Sequence, residues 1–216
     1  MKKILIIFLS FYLLPVKANL PFLDVNLKTV ALSFDDGPSS YTSRIIELLD
    51  KYGYNATFFV VGNKIEDNID ILKKISEQNE IGNHTYSHIW ATHYPNDYII
   101  DEINKTDQLI YKYTKQKTKL FRPSYGAINN KIKASINKHV VLWTLDSSDW
   151  KRKNSNKIAE YILNNIKDND IVLMHDTYKR TYESLKIILP ELKKRKYQVV
   201  TISTLYEINK LRNYEN

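Results

Sequence analysis

No cysteine occurs anywhere in the 216 residues, which excludes both a disulfide framework and a lipid-modified N-terminal cysteine. The longest apolar run, Ile4 to Leu14, is too short to cross a bilayer, which takes about 20 residues. Glycine and proline number only five and six, and nowhere do they gather with serine into a linker. No low-complexity tract or repeat divides the chain, so one domain is expected. A nucleic-acid reader motif is also missing, and the formal charge of +8 therefore does not point to DNA or RNA. The modest positive balance favours contact with anionic envelope polymers or surfaces, although the lysines are scattered, often beside acids on helix-like stretches.

What is present begins at the N-terminus. Met1 to Ala18 carries two lysines, the apolar run, and then Val16-Lys17-Ala18, with small or apolar residues where a signal peptidase reads. The segment is expected to be a signal peptide, with a short uncleaved anchor as the alternative. Its removal leaves residues 19–216 and lowers the formal charge to +5, because Lys2, Lys3 and Lys17 depart with it. The expected product is secreted or periplasmic, with no lasting membrane insertion.

Apolar, β-branched and aromatic runs then alternate with stretches of helical periodicity. Strands are predicted at Val30 to Phe34, Ala56 to Val61, Glu80 to Gly82, Leu120 to Arg122, Val140 to Leu145, Ile171 to Met174 and Tyr197 to Ile202. Helices are predicted at Thr42 to Tyr52, Asn68 to Gln78, Asn96 to Tyr113, Asn129 to Asn137, Ser155 to Ile166 and Tyr182 to Lys196. Seven strands alternating with helices imply a parallel α/β sheet, either open or closed into a barrel. In both forms, chemistry gathers at the C-terminal ends of the strands.

Polar groups occupy those ends repeatedly. Asp35 and Asp36 follow the first strand and are closed by Gly37-Pro38. Two adjacent acids at a tight turn repel unless a cation or a shared proton intervenes, although a solvated turn would use the same residue types. His84 and His88 stand at i and i+4 after the third strand, close enough to ligate one ion from a helical turn or a compact loop. With Asp36 they would form a two-histidine, one-carboxylate set suited to zinc; a pair of surface histidines is the bland alternative. Position 85 is Thr, so a metalloprotease motif is excluded and the base must come from elsewhere, with Asp35 the candidate. Arg122 ends the fourth strand, Asp146 and Asp149 follow the fifth, and His175 ends the sixth. Each has a structural reading as well: a strand cap, a loop pair, a hydrogen-bonded core histidine. His93 and His139 have no comparable setting and are assigned structural roles.

In sequence order, Ser33-Phe34-Asp35-Asp36-Gly37-Pro38, His84 to His88, Arg122 to Tyr125, Asp146-Ser147-Ser148-Asp149-Trp150 and Leu173-Met174-His175 resemble the five motifs of the NodB-type polysaccharide deacetylases, carbohydrate esterase family four. The match runs from about Val30 to Ile202. The resemblance implies a distorted (β/α)7 barrel and metal-dependent hydrolysis of an acetyl group on a sugar. It assigns Asp36, His84 and His88 to the metal, which is zinc, or cobalt or another divalent ion. Asp35 becomes the general base, Arg122 the residue that holds it, and His175 the general acid oriented by Asp149. The Tyr125 N–H would stabilise the oxyanion, and Trp150 and Leu173 would line the acetyl pocket. No role follows for Asp146. Ser124 stands where many members have a second proline, which is expected to loosen the loop carrying Tyr125.

The substrate expected on these grounds is an acetylated glycan, peptidoglycan first. Chitooligosaccharides, poly-N-acetylglucosamine and acetylxylan are the alternatives within the class. A non-catalytic glycan-binding barrel and a metal-dependent phosphoesterase are the alternatives outside it.

Overall fold

The structure is a computed structural model that describes residues 24–214; the expected signal peptide lies outside them. Its first strand, β1 (Thr29–Gly37), is buried along nearly all its length and sits at the centre of the sheet. Partners flank it on both sides, so no residue of it alternates with solvent. Ser39 caps the helix that follows, α1 (Ser40–Tyr52). Its Oγ accepts the Tyr41 N–H at 3.1 Å and its own N–H donates to Thr42 Oγ1 at 2.8 Å, which satisfies two donors that the first turn leaves free. Gly53 ends the helix at φ 69°, a left-handed conformation that favours glycine.

The pattern repeats through β2 (Thr57–Val60), α2 (Ile69–Gln78), β3 (Glu80–Asn83), α3 (Asn96–Thr114), β4 (Leu120–Phe121), α4 (Asn130–Ser135) and β5 (His139–Val140). It continues through β6 (Leu145–Asp146), α5 (Ser155–Asn165), β7 (Ile171–His175), α6 (Lys179–Lys194), β8 (Gln198–Val200) and α7 (Ile202–Tyr214). All strand pairs among the described residues are parallel, in the order β5-β4-β3-β2-β1-β7-β6. β8 pairs with the first part of β1, at Thr29 to Ala31, while β2 takes the second part from Ser33 onward. The sheet therefore has seven positions, and the expected single-domain (β/α)7 arrangement is the one observed, as a partly closed barrel.

One predicted strand is corrected. Val140 to Leu145 reads as a single apolar run, yet it forms β5 at one edge of the sheet and β6 at the other. The four residues between them can span at most about 18 Å, so the two edges must curl toward each other. The same segment bonds to both sides: Val141 N–H donates to Phe121 O at 2.9 Å and Thr144 N–H to Ile171 O at 2.9 Å. A closing segment of this kind cannot pair as one strand. The helix α7 adds to the expected elements. Its buried residues Ile202, Leu205 and Ile208 recur every third position, and the first two cover the barrel interior beside β8.

Strand alternation sorts the core into two clusters. Val30, Leu32 and Phe34 of β1 join Phe58 and Val60 of β2 under the outer helices. Ala31, Phe59, Leu120, Val141, Ile171 and Val200 fill the interior with Ile202 and Leu205. By the same period of two, Ser33, Asp35, Leu173 and His175 share the interior side. No helix among the described residues is long and apolar enough to cross a membrane.

Candidate active site

Regular alternation would send Asp36 to the face opposite Asp35. It does not, because β1 continues through both acids to Gly37 with a register shift against β2 between Asp35 and Gly37, and Asp36 takes φ 75°. A bulge of this kind adds a residue on one strand and re-aims its side chain. Both carboxylates thereby reach the C-terminal mouth of the barrel. Gly37 follows without a side chain because a Cβ there would overlap the Asp176 carboxylate.

His84 and His88 lie on a compact loop, not a helical turn, with Thr85 at φ 66° and His88 at φ 55°. Buried Glu102 of α3 holds this loop: its Oε2 accepts Tyr86 N–H at 3.0 Å and Ser87 N–H at 2.7 Å, and its Oε1 accepts Ser87 Oγ–H at 2.9 Å. His84 Nδ1 lies 2.7 Å from Arg122 O. A carbonyl can only accept, so Nδ1 carries the proton and Nε2 turns a lone pair inward.

Asp36 Oδ1 is 2.9 Å from His88 Nε2 and 3.5 Å from His84 Nε2. It is buried without a hydrogen-bonding partner, so these three atoms face a common point instead of satisfying one another. Among the described residues they are the group able to hold a metal ion. Ligands at zinc distances in a tetrahedron stand about 3.4 Å apart, which the observed spacings bracket. The donor set fits a divalent cation. Burial alone would raise the Asp36 pKa, but the hydrogen bonds and positive charge that the two imidazoles offer whenever no cation is bound and they carry protons at Nε2 outweigh it and hold the carboxyl well below the usual range.

Arg122 connects the two halves of the site. Fully buried, it donates from Nη1 to Asp35 Oδ1 and to Ser33 Oγ, both at 2.8 Å. Its Nε and Nη2 donate to Val141 O and Leu142 O in the closing segment, and its guanidinium lies 4.1 Å from the Phe59 ring centre. Four of its five N–H groups are thus engaged, and the buried cation holds the Asp35 side chain in place, pointing into the mouth.

Across the β1–β7 pairing, His175 is the register partner of Asp35. Its Nδ1 lies 2.7 Å from Asp149 Oδ1, while Asp149 Oδ2 accepts the His175 N–H at 2.8 Å and Thr181 Oγ1–H at 2.6 Å. Burial works against the imidazolium, but the Asp149 hydrogen bond and charge prevail, joined by Asp35 and Asp36, and the His175 pKa rises to about 9. Arg180 donates to the carbonyls of Asp149 and Trp150 and holds that loop.

Tyr125 adopts φ 61° on the loop after β4; its ring meets His88 edge-on at 4.7 Å. The loosening expected from Ser124 is not what the geometry supports. Its buried hydroxyl lies 3.2 Å from Thr85 Oγ1 and 3.3 Å from His84 O, so hydrogen bonds to the histidine loop stand in for a ring. Trp150 is exposed at the rim and Leu173 is buried below His175. Asp146 now has a local role: its Oδ1 accepts Ser148 N–H at 2.6 Å and shapes the turn toward Asp149. The sequence reading missed Ser33, Glu102, Thr181 and Asp176. Only Glu102 carried a local signal, as an acid in register with buried Ile99, Ile103 and Thr106 of α3. Asp176 is buried, accepts Thr42 Oγ1–H at 2.5 Å, and is pushed up to about 7 by burial and by the Asp35 and Asp36 charges.

Residues 23–142 match the polysaccharide deacetylase family. The chain is 36% identical over 191 residues to the peptidoglycan-N-acetylmuramic acid deacetylase PdaC of Bacillus subtilis, covering 88% of this chain and 41% of that protein. It thus spans about two fifths of that relative's length. The solved PdaC structure superposes with TM-score 0.87 at 35% identity, over 89% of this chain and 96% of that one. A peptidoglycan-N-acetylglucosamine deacetylase of Bacillus cereus is 36% identical over 190 residues, covering 83% of this chain and 89% of the relative. A bifunctional xylanase/deacetylase of Pseudobutyrivibrio xylanivorans is 32% identical over 85% of this chain and 31% of its own length.

Proposed function

The chain belongs to the polysaccharide deacetylases of the NodB type, carbohydrate esterase family four, and from that premise we propose that it is an exported, metal-dependent hydrolase of N-acetyl groups on N-acetylhexosamine glycans, peptidoglycan first. The observation that carries the reading is the division of the adjacent acids. Asp36 faces two imidazoles with an unpartnered oxygen, whereas Asp35 is held by Arg122 and stands in register with His175. Peptidoglycan leads because it is named in two of the relatives described above; acetylxylan is the second reading, favoured by the xylanase/deacetylase relative. Residues 1–18 would direct export.

Asp36, His84 and His88 would hold the metal, zinc being the ion such a set suits best. When bound, a divalent cation there supplies Lewis acidity and makes water easier to deprotonate. Asp35 takes the proton of the attacking water as its oxygen bonds to the acetyl carbon. The Tyr125 N–H donates to the carbonyl oxygen as negative charge gathers on it. His175, held through Nδ1 by Asp149, delivers a proton from Nε2 to the sugar nitrogen as the C–N bond breaks, and acetate and a free amine leave. Trp150 and Leu173 would flank the acetyl methyl. A screen of the zinc-loaded protein for acetate release from peptidoglycan, chitooligosaccharides, poly-N-acetylglucosamine and acetylxylan tests the assignment. Release of phosphate from phosphoesters instead would overturn it, and glycan binding without release would leave a binding barrel.

Two further outcomes follow. His88→Ala is expected to weaken zinc binding, measured by calorimetry, by more than the roughly ten- to hundredfold that losing an outer partner of a ligand costs. An unchanged affinity would remove His88 from the site. The second concerns pH. His175 is the competent acid only while protonated, so activity should fall as pH rises through its pKa. A cation at Asp36 offsets the Asp35 and Asp36 charges that help to raise that pKa, so the alkaline limb of the loaded enzyme should lie below about 9. Asp149→Asn removes the dominant raising interaction and should move the limb further down. A limb that stays in place would mean that another group titrates.

A further inference from the structure

The segment leaving the metal-site loop is unusually aromatic and unusually exposed. Trp90, Tyr94 and Tyr98 retain 43–45% of their surface, and Tyr125 beside them retains 57%. Buried apolar residues are the rule for rings of this size, and a cluster left in water marks a binding surface. The rings form two stacks. Trp90 lies between Tyr125, at 4.7 Å and 17°, and His93, at 5.4 Å and 8°. Tyr94 stacks on Tyr98 at 5.2 Å and 21°.

The stacks divide the work. Trp90 stacks with both His93 and Tyr125, so it serves as a support that fixes Tyr125. Tyr94 and Tyr98 stack on each other, and each keeps more than two fifths of its surface open to a ligand. The backbone beneath is anchored: Ala91 and Ile99 are fully buried, His93 N–H donates to Trp90 O at 2.9 Å, and Pro95 precedes α3. Rigid aromatic rings on an anchored segment bind with little ordering cost. From Trp90 to Tyr98 the one formal charge is Asp97. No lysine or arginine is present to recruit a phosphate or a carboxylate polymer, so the complementary ligand is neutral and has an apolar face. A pyranose ring meets that description, with axial C–H groups on its face and hydroxyls at its rim.

We propose that Tyr94 and Tyr98, braced through His93, Trp90 and Tyr125, form a ledge that binds a sugar unit of the substrate chain beyond the one whose acetyl group is cleaved. The ledge reaches the catalytic mouth through the chain and the rings: Tyr94 follows His93 in the chain, His93 and Tyr125 both stack with Trp90, and Tyr125 meets His88 edge-on. The inference rests on the deacetylase reading and adds a preference for longer chains. The structural role expected of His93 takes the form of this brace.

The test uses N-acetylhexosamine oligomers, namely chitooligosaccharides and peptidoglycan glycan fragments of two to five sugars, with the zinc-loaded protein. Wild-type kcat/KM is expected to rise with chain length through a falling KM. Tyr94→Ala and Tyr98→Ala should each lose roughly two- to tenfold on the longest oligomer, with a deficit that widens as the chain lengthens. Tyr94→Phe and Tyr98→Phe keep a ring and should retain most of the rise. Melting temperatures separate this from a helix-end packing role, which would lower stability equally for every substrate. If alanine variants show the same deficit at all lengths, or none, the ledge is wrong. Calorimetric binding of the five-sugar oligomers reads the ledge without turnover. Binding weakened in the alanine variants supports it even where no acetate is released, an outcome that would sink the deacetylase reading alone; equal or absent binding overturns the ledge.

Discussion

Asp35→Asn is expected to lower acetate release by roughly a hundredfold to ten-thousandfold, the range for loss of a general base, while leaving zinc affinity nearly unchanged. The amide is isosteric and can still accept the Arg122 hydrogen bond now made at 2.8 Å, but it cannot take a proton from water. Asp35 Oδ2 is 3.7 Å from His84 Nε2, whereas Asp36 Oδ1 lies nearer to both imidazoles. Because the substitution leaves a buried guanidinium without its counter-charge, the variant must first be shown to be folded. Equal loss of metal and activity would mean that the roles of Asp35 and Asp36 are exchanged. Full activity would remove the mechanism.

His175→Ala should separate two leaving groups. Expelling an amine requires proton delivery to nitrogen, whereas an activated aryl oxide leaves with little help. The variant should therefore lose roughly a hundredfold to ten-thousandfold on an N-acetyl sugar and far less on an aryl acetate. The His175 peptide N–H remains to bond Asp149 Oδ2, and Thr181 Oγ1–H still donates to the same carboxylate, so the loop has means to survive the truncation. Equal losses on both substrates, in a folded and metal-loaded variant, would return His175 to a purely structural role.

The residues that converge here were legible in the sequence because the fold places every strand's C-terminal end at one mouth. Asp35, Asp36, His84, His88, Arg122 and His175 needed only their positions after apolar runs, and errors of a few residues in strand limits did not disturb that. The five motifs in order then named the family. What was not legible depends on contacts distant in the chain. Ser33 bonds Arg122 across 89 positions, and Thr181 bonds Asp149 across 32. Neither hydroxyl differs locally from those of other serines or threonines. The two-acid convergence was expected from a turn but arises from a bulge inside β1, which only the pairing with β2 reveals. Val140 to Leu145 reads as one strand because nothing polar interrupts it. Its middle carbonyls, at Val141 and Leu142, go to the Arg122 guanidinium instead of to a neighbouring strand. The aromatic stacks join Trp90 to Tyr125, 35 positions away, and period-based reading has no means of seeing such a pairing.

The most direct test of the account is acetate release from N-acetylated peptidoglycan fragments by the metal-stripped protein, before and after addition of one equivalent of zinc. The account predicts negligible release without the ion. With it, activity should be restored and each acetate matched by one new free amine on the glycan. Turnover indifferent to the metal, or no amine formed from any of the acetylated glycans when zinc is bound, would contradict it.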